Sequence, residues 1–412
     1  VFNPPLSPPT STPLRFGVLS AADITVNALI LPARSHPDVV ISAIAGRDEV
    51  KVSKFATKHG IGRVYAGSGS YDKLVNDPDI DVVYIPLPHM FHYEWSLKAL
   101  NAGKHVLVEK PMVNTPAEAA HLHDVAKEKG LVIMEAMHTR FHPAIQRAKE
   151  IVDSGELGAV VHVEATGLCP KGAITRTYTE GDFKEGRGVL MDVGCYPIEC
   201  IRYFTNPGSM SVESATHTSF PDLPQLDFTV EAKLNIVPFT STNTSASSPT
   251  QPSNVTAAFR TSIAAPNIYG IIPNLDTSVE VKCTNGSVYL SNYMIPFLYH
   301  RIVVKHTEGS QGKVKSERVE KVFVFPEGRG DQGQDGDSSH LREQKRGEVW
   351  WSTYRYQLEA FVDKVRGRQP RTWYEKEDST TNLEWVGEVY RKIGLEQRPP
   401  SEYFVVQGVG KG

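Results

Sequence analysis

The chain is short of cysteine, of surplus charge and of long apolar runs, and each shortage excludes a class of protein. Its four cysteines, Cys169, Cys195, Cys200 and Cys283, form no CxxC pair and show no zinc-like spacing. That pattern argues against a disulfide scaffold or a structural metal site and for a reducing compartment, so a cytoplasmic protein without a bound metal is expected. Lys and Arg number 44 against 47 Asp and Glu, a formal net charge of −3 with the basic residues dispersed. Nothing in that balance attracts a polyanion, and no nucleic-acid partner is expected. The longest apolar runs, such as 28–31 and 82–87, fall far short of the roughly 20 residues a membrane helix needs, so no membrane span is expected. Residues 1–13 are rich in proline and hold no basic stretch ahead of an apolar one; they read as a solvated tail and not as a signal peptide.

What is present is a large apolar stock. Hydrophobic residues make up 40% of the 412, enough for one large core or two ordinary ones. From 14 to about 152, short β-branched runs alternate with longer amphipathic ones. The runs 15–20, 39–45, 81–86, 105–109 and 131–134 are mostly apolar without strict alternation, as strands buried on both faces are. The stretches 49–59, 90–101 and 116–129 carry apolar residues at three- and four-residue spacing. They end near Gly60, Gly103 and Gly130, where a helix C-terminus favours glycine. This alternation predicts a doubly wound parallel sheet with right-handed crossovers over 14–143.

After Pro143 the texture changes. A helical run, 144–154, precedes strand-like runs at 160–167, 211–219, 227–236, 255–262, 278–283, 287–291 and 318–325. They predict a second α/β domain, 144–399, on an open, mostly antiparallel sheet. Asn285-Gly286 predicts a two-residue hairpin turn with positive φ at both positions. The polar stretches 240–253 and 328–339 read as surface loops and 400–412 as a carboxy-terminal tail, while helical runs at 354–365 and 382–393 should pack back across both domains.

In a doubly wound sheet the first strand-to-helix turn and the carboxyl ends of the strands form the ligand crevice. Ser20, Ala21, Ala22, Asp23 and Ile24 occupy that turn, and the usual glycine fingerprint is missing. G-x-G-x-x-G would fall on Ser20, Ala22 and Thr25, small side chains that still permit close approach of the backbone to a pyrophosphate. After the second strand, Arg47 can pair with a 2′-phosphate, where a carboxylate would select NAD. Its neighbour Asp48 either keeps NAD possible or caps the next helix. Lys110 ends another strand of the sheet, where an ammonium group can hydrogen-bond a substrate hydroxyl and favour its alkoxide. Asp192 and Tyr196 lie four apart and share one face if that stretch is helical, so an orienting acid and a proton-carrying phenol can converge on one ligand. The plain alternatives are an ordinary strand exit before proline, a helix cap and an interface aromatic.

Taken in order, Glu109-Lys110-Pro111, Asp192-x-Gly194-x-Tyr196, Tyr354-Arg355-Tyr356 with Glu359-Ala360-Phe361, and Glu388-Val389-Tyr390-Arg391 resemble the glucose–fructose oxidoreductase / inositol dehydrogenase / rhizopine catabolism (Gfo/Idh/MocA) family over roughly 14–399. Tyr84-Ile85-Pro86-Leu87-Pro88-His89, Ala102-Gly103-Lys104-His105-Val106 and Glu135-Ala136-Met137-His138-Thr139-Arg140-Phe141-His142-Pro143 are most similar to its dihydrodiol dehydrogenase and NADP-dependent D-xylose dehydrogenase branch. The resemblance implies a Rossmann domain and a second α/β domain whose open sheet covers the site and often forms a homodimer or higher homo-oligomer. It implies hydride transfer between NADP, with NAD possible, and a small-molecule substrate. Lys110 would be the catalytic lysine, Tyr196 the proton donor or acceptor and Asp192 the residue orienting substrate. Pro86, Leu87 and Pro88 would border the nicotinamide, and His89, His92 and Glu109 would lie near the cofactor. His138 and Arg140 would stand at the substrate. The implied substrate is a secondary alcohol or hemiacetal of a sugar, cyclic polyol or dihydrodiol. The alternatives are a carbonyl or imine reductase of a secondary-metabolite pathway and a non-catalytic NADP-sensing regulator.

Overall fold

A computed structural model describes residues 3–170, 178–179, 181–239, 252–267, 272–308, 313–326 and 346–407. Six strands form the first sheet: β1 (Leu14–Leu19), β2 (Val39–Gly46), β3 (Arg63–Ala66), β4 (Val82–Ile85), β5 (His105–Val108) and β6 (Ile133–Glu135). They pair in the order β3-β2-β1-β4-β5-β6, all parallel. The order reverses between β1 and β4, which opens a crevice at the carboxyl ends of the strands. Phe16, Val18, Val82, Val83, Val106 and Leu107 are fully buried, because helices cover both faces. Local chemistry sets the helix bounds. Asp48 accepts a hydrogen bond from Lys51 N to start α2 (Glu49–His59), and Gly60, at φ 71°, ends it. A reciprocal pair, Thr115 and Glu118, starts α5 (Pro116–Glu128). The sequence patterning missed β3 and the short helix after it, Ser70–Val75; the four residues of β3 are only partly buried and carry no apolar run.

The second sheet has eight strands: β7 (Val160–Pro170), β8 (Pro207–Phe220), β9 (Leu223–Pro238), β10 (Val255–Ala265), β11 (Val279–Cys283), β12 (Gly286–Leu290), β13 (Ile302–Glu308) and β14 (Lys313–Glu320). Their order is β14-β13-β12-β11-β7-β10-β9-β8. Only the β7–β10 pairing is parallel, so the sheet is mixed and mostly antiparallel. Helix α8 (Cys195–Thr205) packs on β7 and β10. Sequence patterning missed β13 and placed the last strand several residues too late. The hairpin at 285–286 also differs. The loop is Thr284-Asn285, since Cys283 pairs with Gly286, and neither residue takes positive φ. Gly286 is needed for another reason: a Cβ there would overlap the Lys305 carbonyl of the neighbouring strand.

Both ends of the chain are tied down where tails were expected. Ser7 N donates to Arg34 O at 2.9 Å and Thr10 N to Pro37 O at 2.8 Å, so the proline-rich segment lies along the first domain. At the other end, helix α11 (Glu402–Val406) sets Phe404 against Tyr93, with ring centroids 4.9 Å apart, and Ser401 N donates to Glu118 at 2.8 Å. Of two long helices, α10 (Lys376–Ile393) touches elements of both domains, while α9 (Thr353–Val365) packs on the first and reaches the second through Tyr356 Oη, which donates to Phe323 O at 2.6 Å. The stretch 328–339 and residues 240–251 of the other polar loop lie outside the described residues. No described helix is long and apolar enough to cross a membrane.

Candidate active site

Two groups of residues meet at the crevice. In the first, β1 runs into Ser20, whose φ of 86° is the left-handed conformation that glycine usually supplies. Serine thus takes the sharp turn without the fingerprint glycine, braced by Ser20 N donating to Ala45 O at 2.7 Å. Ala21 to Ile24 carry the chain into a π-helical turn, Val26–Ile30. Ser20, Ala21, Gly46, Arg47, Lys51 and Tyr71 line an open cleft of about 680 Å³. Gly46 admits no side chain, since a Cβ would lie 2.8 Å from Val52 Cβ. The Asp48 carboxylate is committed to capping α2, at 2.9 Å from Lys51 N. The donor set is therefore two cations, Arg47 and Lys51, beside a backbone turn, which fits a phosphate-bearing adenosine better than a bare ribose diol.

The second group forms where β5 ends. Lys110 Nζ donates to the backbone carbonyl of Asp192 at 2.5 Å and lies 4.9 Å from the Tyr196 ring centroid. Tyr196 Oη and His138 Nε2 are 3.0 Å apart, and His138 Nδ1 and Thr353 Oγ1 are 2.8 Å apart. The His138 ring stacks on Tyr354 with centroids 4.0 Å apart. Beside Lys110, the Tyr84 hydroxyl donates to Glu109 at 2.6 Å. Burial pushes the Tyr196 phenol well above its ordinary range, lowers His138 to about 3 and raises the Glu109 carboxyl. At neutral pH the phenol is protonated and the imidazole neutral, and Lys110 supplies positive charge beside them.

Asp192 reaches this junction by its carbonyl and not by its carboxylate. Leu190–Gly194 is a π-helical turn, and α8 begins only at Cys195, so the four-residue α-helical face expected from the spacing is not formed. The carboxylate accepts from Tyr178 Oη at 3.0 Å and from Arg187 and Gly188 N at 3.4 Å, and lies 3.6 Å from His89 Nε2. A buried ion pair fixes this turn. Arg398 donates to Asp227 at 2.5 Å, and Asp227 also accepts from Tyr390 at 3.0 Å and from Leu190 N at 2.6 Å.

Residues 15–137 match an oxidoreductase family with an NAD-binding Rossmann fold, and residues 145–289 match the GFO/IDH/MocA C-terminal domain. The chain belongs to the GFO/IDH/MocA oxidoreductase family. It is similar to the NADP(+) D-xylose 1-dehydrogenase 2 of Haloferax volcanii, 39% identical over 207 residues, which are 50% of this chain and 61% of that protein. It is also similar to the trans-1,2-dihydrobenzene-1,2-diol dehydrogenase of Bos taurus, 37% identical over 193 residues, 46% of this chain and 55% of that protein. The matched region thus spans less than two thirds of either relative. In fold it is similar to KijD10, a 3-ketoreductase from Actinomadura kijaniata solved with NADP and TDP-benzene. The TM-score is 0.68 at 24% identity, over 92% of this chain and 98% of that one.

Against this GFO/IDH/MocA frame, the remaining expected site residues divide. Pro86 and Leu87 are buried and Pro88 half-buried at the exit of β4. His92 is fully buried. Its Nε2 lies 2.7 Å from Leu87 O, and its Nδ1 lies 3.1 Å from Pro111 O and 3.2 Å from Met112 O. It ties the loop after β4 to the loop carrying Lys110, with burial lowering its pKa to about 4. His89 is likewise buried and links this exit to the 186–192 segment through Gly186 O at 3.0 Å. Arg140 is buried. Its guanidinium pairs with Glu199 at 2.8 Å and Asp378 at 2.7 Å and sits between Tyr203 and Tyr374 at 4.9 and 4.6 Å. A buried carboxylate from α8 and a half-buried one from α10 hold it as a clamp between elements. Thr353 and the Asp227–Arg398 pair were not found from sequence, because their partners lie far along the chain, 171 residues apart for Asp227 and Arg398; Tyr178 and Arg187 lie near Asp192 in the chain but in no regular spacing that marks the contact.

Proposed function

We propose that the chain is an NADP-dependent oxidoreductase that moves a hydride between NADP and a secondary alcohol or hemiacetal carbon of a sugar, cyclic polyol or dihydrodiol. The observation that carries the reading is the meeting of Lys110 from the first sheet with Tyr196 from the second half, their ammonium and ring centroid 4.9 Å apart. The relatives' names, a xylose dehydrogenase and a dihydrodiol dehydrogenase, support the substrate class. When bound, NADP supplies the hydride acceptor or donor. The Ser20 to Ile24 turn with Arg47 and Lys51 would hold its phosphates, and Pro86 to Pro88 would border its nicotinamide end.

Within that frame Tyr196 takes the proton of the substrate hydroxyl, and gives it back in the reverse reaction. Lys110 leaves the Asp192 carbonyl to hydrogen-bond the substrate oxygen and stabilise its developing negative charge, a preorganised charge in a site of low water content. Asp192, held by Tyr178 and Arg187, orients the segment over which substrate lies. Residues 14–143 are the cofactor-binding unit and 144–399 the substrate-binding and dimerisation unit. A homodimer or higher homo-oligomer in the cytoplasm is part of the proposal. Its supports are the second sheet's open face, which exposes Val161 and Tyr289, and four cysteines that are all free thiols.

The test mixes purified protein with NADP or NAD and a panel of aldoses, cyclic polyols and dihydrodiols, following nicotinamide reduction. Reduction of NADP by at least one of them, lost in Lys110→Ala, is the expected result. Stoichiometric NADP binding without turnover would replace the enzyme by the regulator.

A further inference from the structure

We propose that His138, backed by Thr353, relays the proton of Tyr196, its Nε2 receiving the phenolic proton as Tyr196 takes the proton of the substrate hydroxyl. The inference rests on the hydride-transfer reading above and deepens it, since a relay needs a proton to move.

Three observations lead there. Tyr196 and His138 are 5% and 3% exposed, so bulk water does not collect a proton from the phenol. Lys110 cannot collect it either. An ammonium group has three donors and no lone pair, and Lys110 already donates to the Asp192 carbonyl at 2.5 Å. Among the described residues, the group in hydrogen-bond reach that can accept is His138 Nε2, 3.0 Å from Tyr196 Oη. The remaining ring nitrogen lies 2.8 Å from Thr353 Oγ1, a hydroxyl able to accept from Nδ1–H, and the relay uses that tautomer, with the Nε2 lone pair facing the phenol. Tyr196, Thr353, the stacked Tyr354 ring and the charge of Lys110 are the polar groups around the imidazole. Burial first, then Lys110, lowers its pKa to about 3, so the resting ring is neutral throughout the working pH range.

The step balances in atoms and electrons. In the oxidising direction the substrate O–H bond breaks and its proton bonds to Tyr196 Oη. The Tyr196 O–H bond breaks in turn, and that proton bonds to His138 Nε2, giving an imidazolium. The alkoxide electron pair forms the carbonyl as the carbon-bound hydride leaves to the nicotinamide of NADP. The reducing direction runs the same bonds backwards. Once product leaves, water fills the vacated substrate place: the imidazolium gives its Nε2 proton back to Tyr196 Oη as the phenol's own proton passes to that water, which restores the resting pair. His138 touches Tyr196 and not the substrate, so it is a positioning residue.

Isotope-labelled histidine NMR of the full chain, with and without NADP, reads the ring without turnover. A neutral ring carrying its proton on Nδ1 is expected from about pH 5 to about pH 8. Its Nε2 resonance should shift in Tyr196→Phe and its Nδ1 resonance in Thr353→Val. Kinetics are read with NADP and D-xylose or trans-1,2-dihydrobenzene-1,2-diol. There His138→Gln should lower kcat by roughly tenfold to a hundredfold with KM little changed and a raised solvent deuterium isotope effect. Thr353→Val should show the same signature more weakly, and Thr353→Ser should recover it. A proton on Nε2 overturns the relay. So does a folded His138→Gln enzyme whose solvent isotope effect is unchanged, whatever its kcat. Failure of the underlying reading looks different: Lys110→Ala then keeps full turnover, whatever the state of the imidazole.

Discussion

Glu135 shows how much one side chain can carry. It sits at the end of β6, accepts from Met112 N at 3.1 Å and from the Ser379 hydroxyl at 2.6 Å, and so links the Lys110 loop to α10. Burial raises its carboxyl from 4.5 to about 7. A raised acid pKa means that the folded chain keeps a proton which the unfolded chain releases. Stability from this group therefore falls as pH rises from about 4.5 to about 7, and the deficit persists above that window. Glutamine keeps the bond from Met112 N at Oε1 and can donate its amide N–H to Ser379 Oγ in place of the bond it no longer accepts, without the charge. Glu135→Gln should exceed wild type by up to about 3 kcal/mol near pH 8, the gap closing below about pH 5, as urea unfolding at both pH values would show. Arg140 makes the opposite case. Arg140→Ala leaves Glu199 buried without its partner and should cost about 3–5 kcal/mol in urea unfolding. Restoring part of that loss with Glu199→Gln would separate a structural clamp from a substrate contact. The sequence named Arg140 but not its partners, because a motif gives a residue's position in the chain and not the carboxylates that fold against it.

Among the elements, the 186–194 segment matters most. It carries Asp192 toward Lys110 and leads into the helix that bears Tyr196. Its shape depends on Gly188, whose φ is 135° and where a Cβ would overlap Asp227 and Arg398. Gly188→Ala should destabilise the chain by at least about 2 kcal/mol through backbone strain and a disturbed buried ion pair. In whatever fraction folds, kcat should fall while the NADP dissociation constant holds, because the cleft at Ser20 and Arg47 lies on the other sheet. Titration calorimetry beside steady-state kinetics would show the split. The parallel strands were legible because burial on both faces writes continuous apolar runs, and the helices because glycine and capping residues mark their ends. The π-helical turn was not, since Asp192 and Tyr196 keep a four-residue spacing whichever helix they join. Nor was β3, whose four partly buried residues leave no periodic trace.

At the scale of the molecule, the fold brings the ends of one sheet against a turn from the second half, and α9 and α10 lock the two together. Lys110 and Ser20 could be placed from sequence because each lies at a strand end whose position in a doubly wound fold is fixed, whereas Tyr196 was named through its motif and the family resemblance. Thr353 and the Asp227–Arg398 pair could not, because only the assembled chain makes them neighbours. Arg47 tests the cofactor half of this assembly. Arg47→Ala should weaken NADP binding at least about tenfold while leaving NAD binding nearly unchanged, because only NADP offers the extra phosphate to a guanidinium. Thermal shift with each nucleotide would read that difference.

The most direct measurement of the central claim is deuterium transfer from a carbon-deuterated sugar or dihydrodiol to NADP in a single turnover. It is made with wild type and with Lys110→Met and Tyr196→Phe. Label should appear on the nicotinamide ring with wild type, and each variant should slow its appearance by about a hundredfold or more. Label that arrives as fast in both variants as in wild type, or NADP that binds fully and receives none, would contradict hydride transfer at the Lys110–Tyr196 junction.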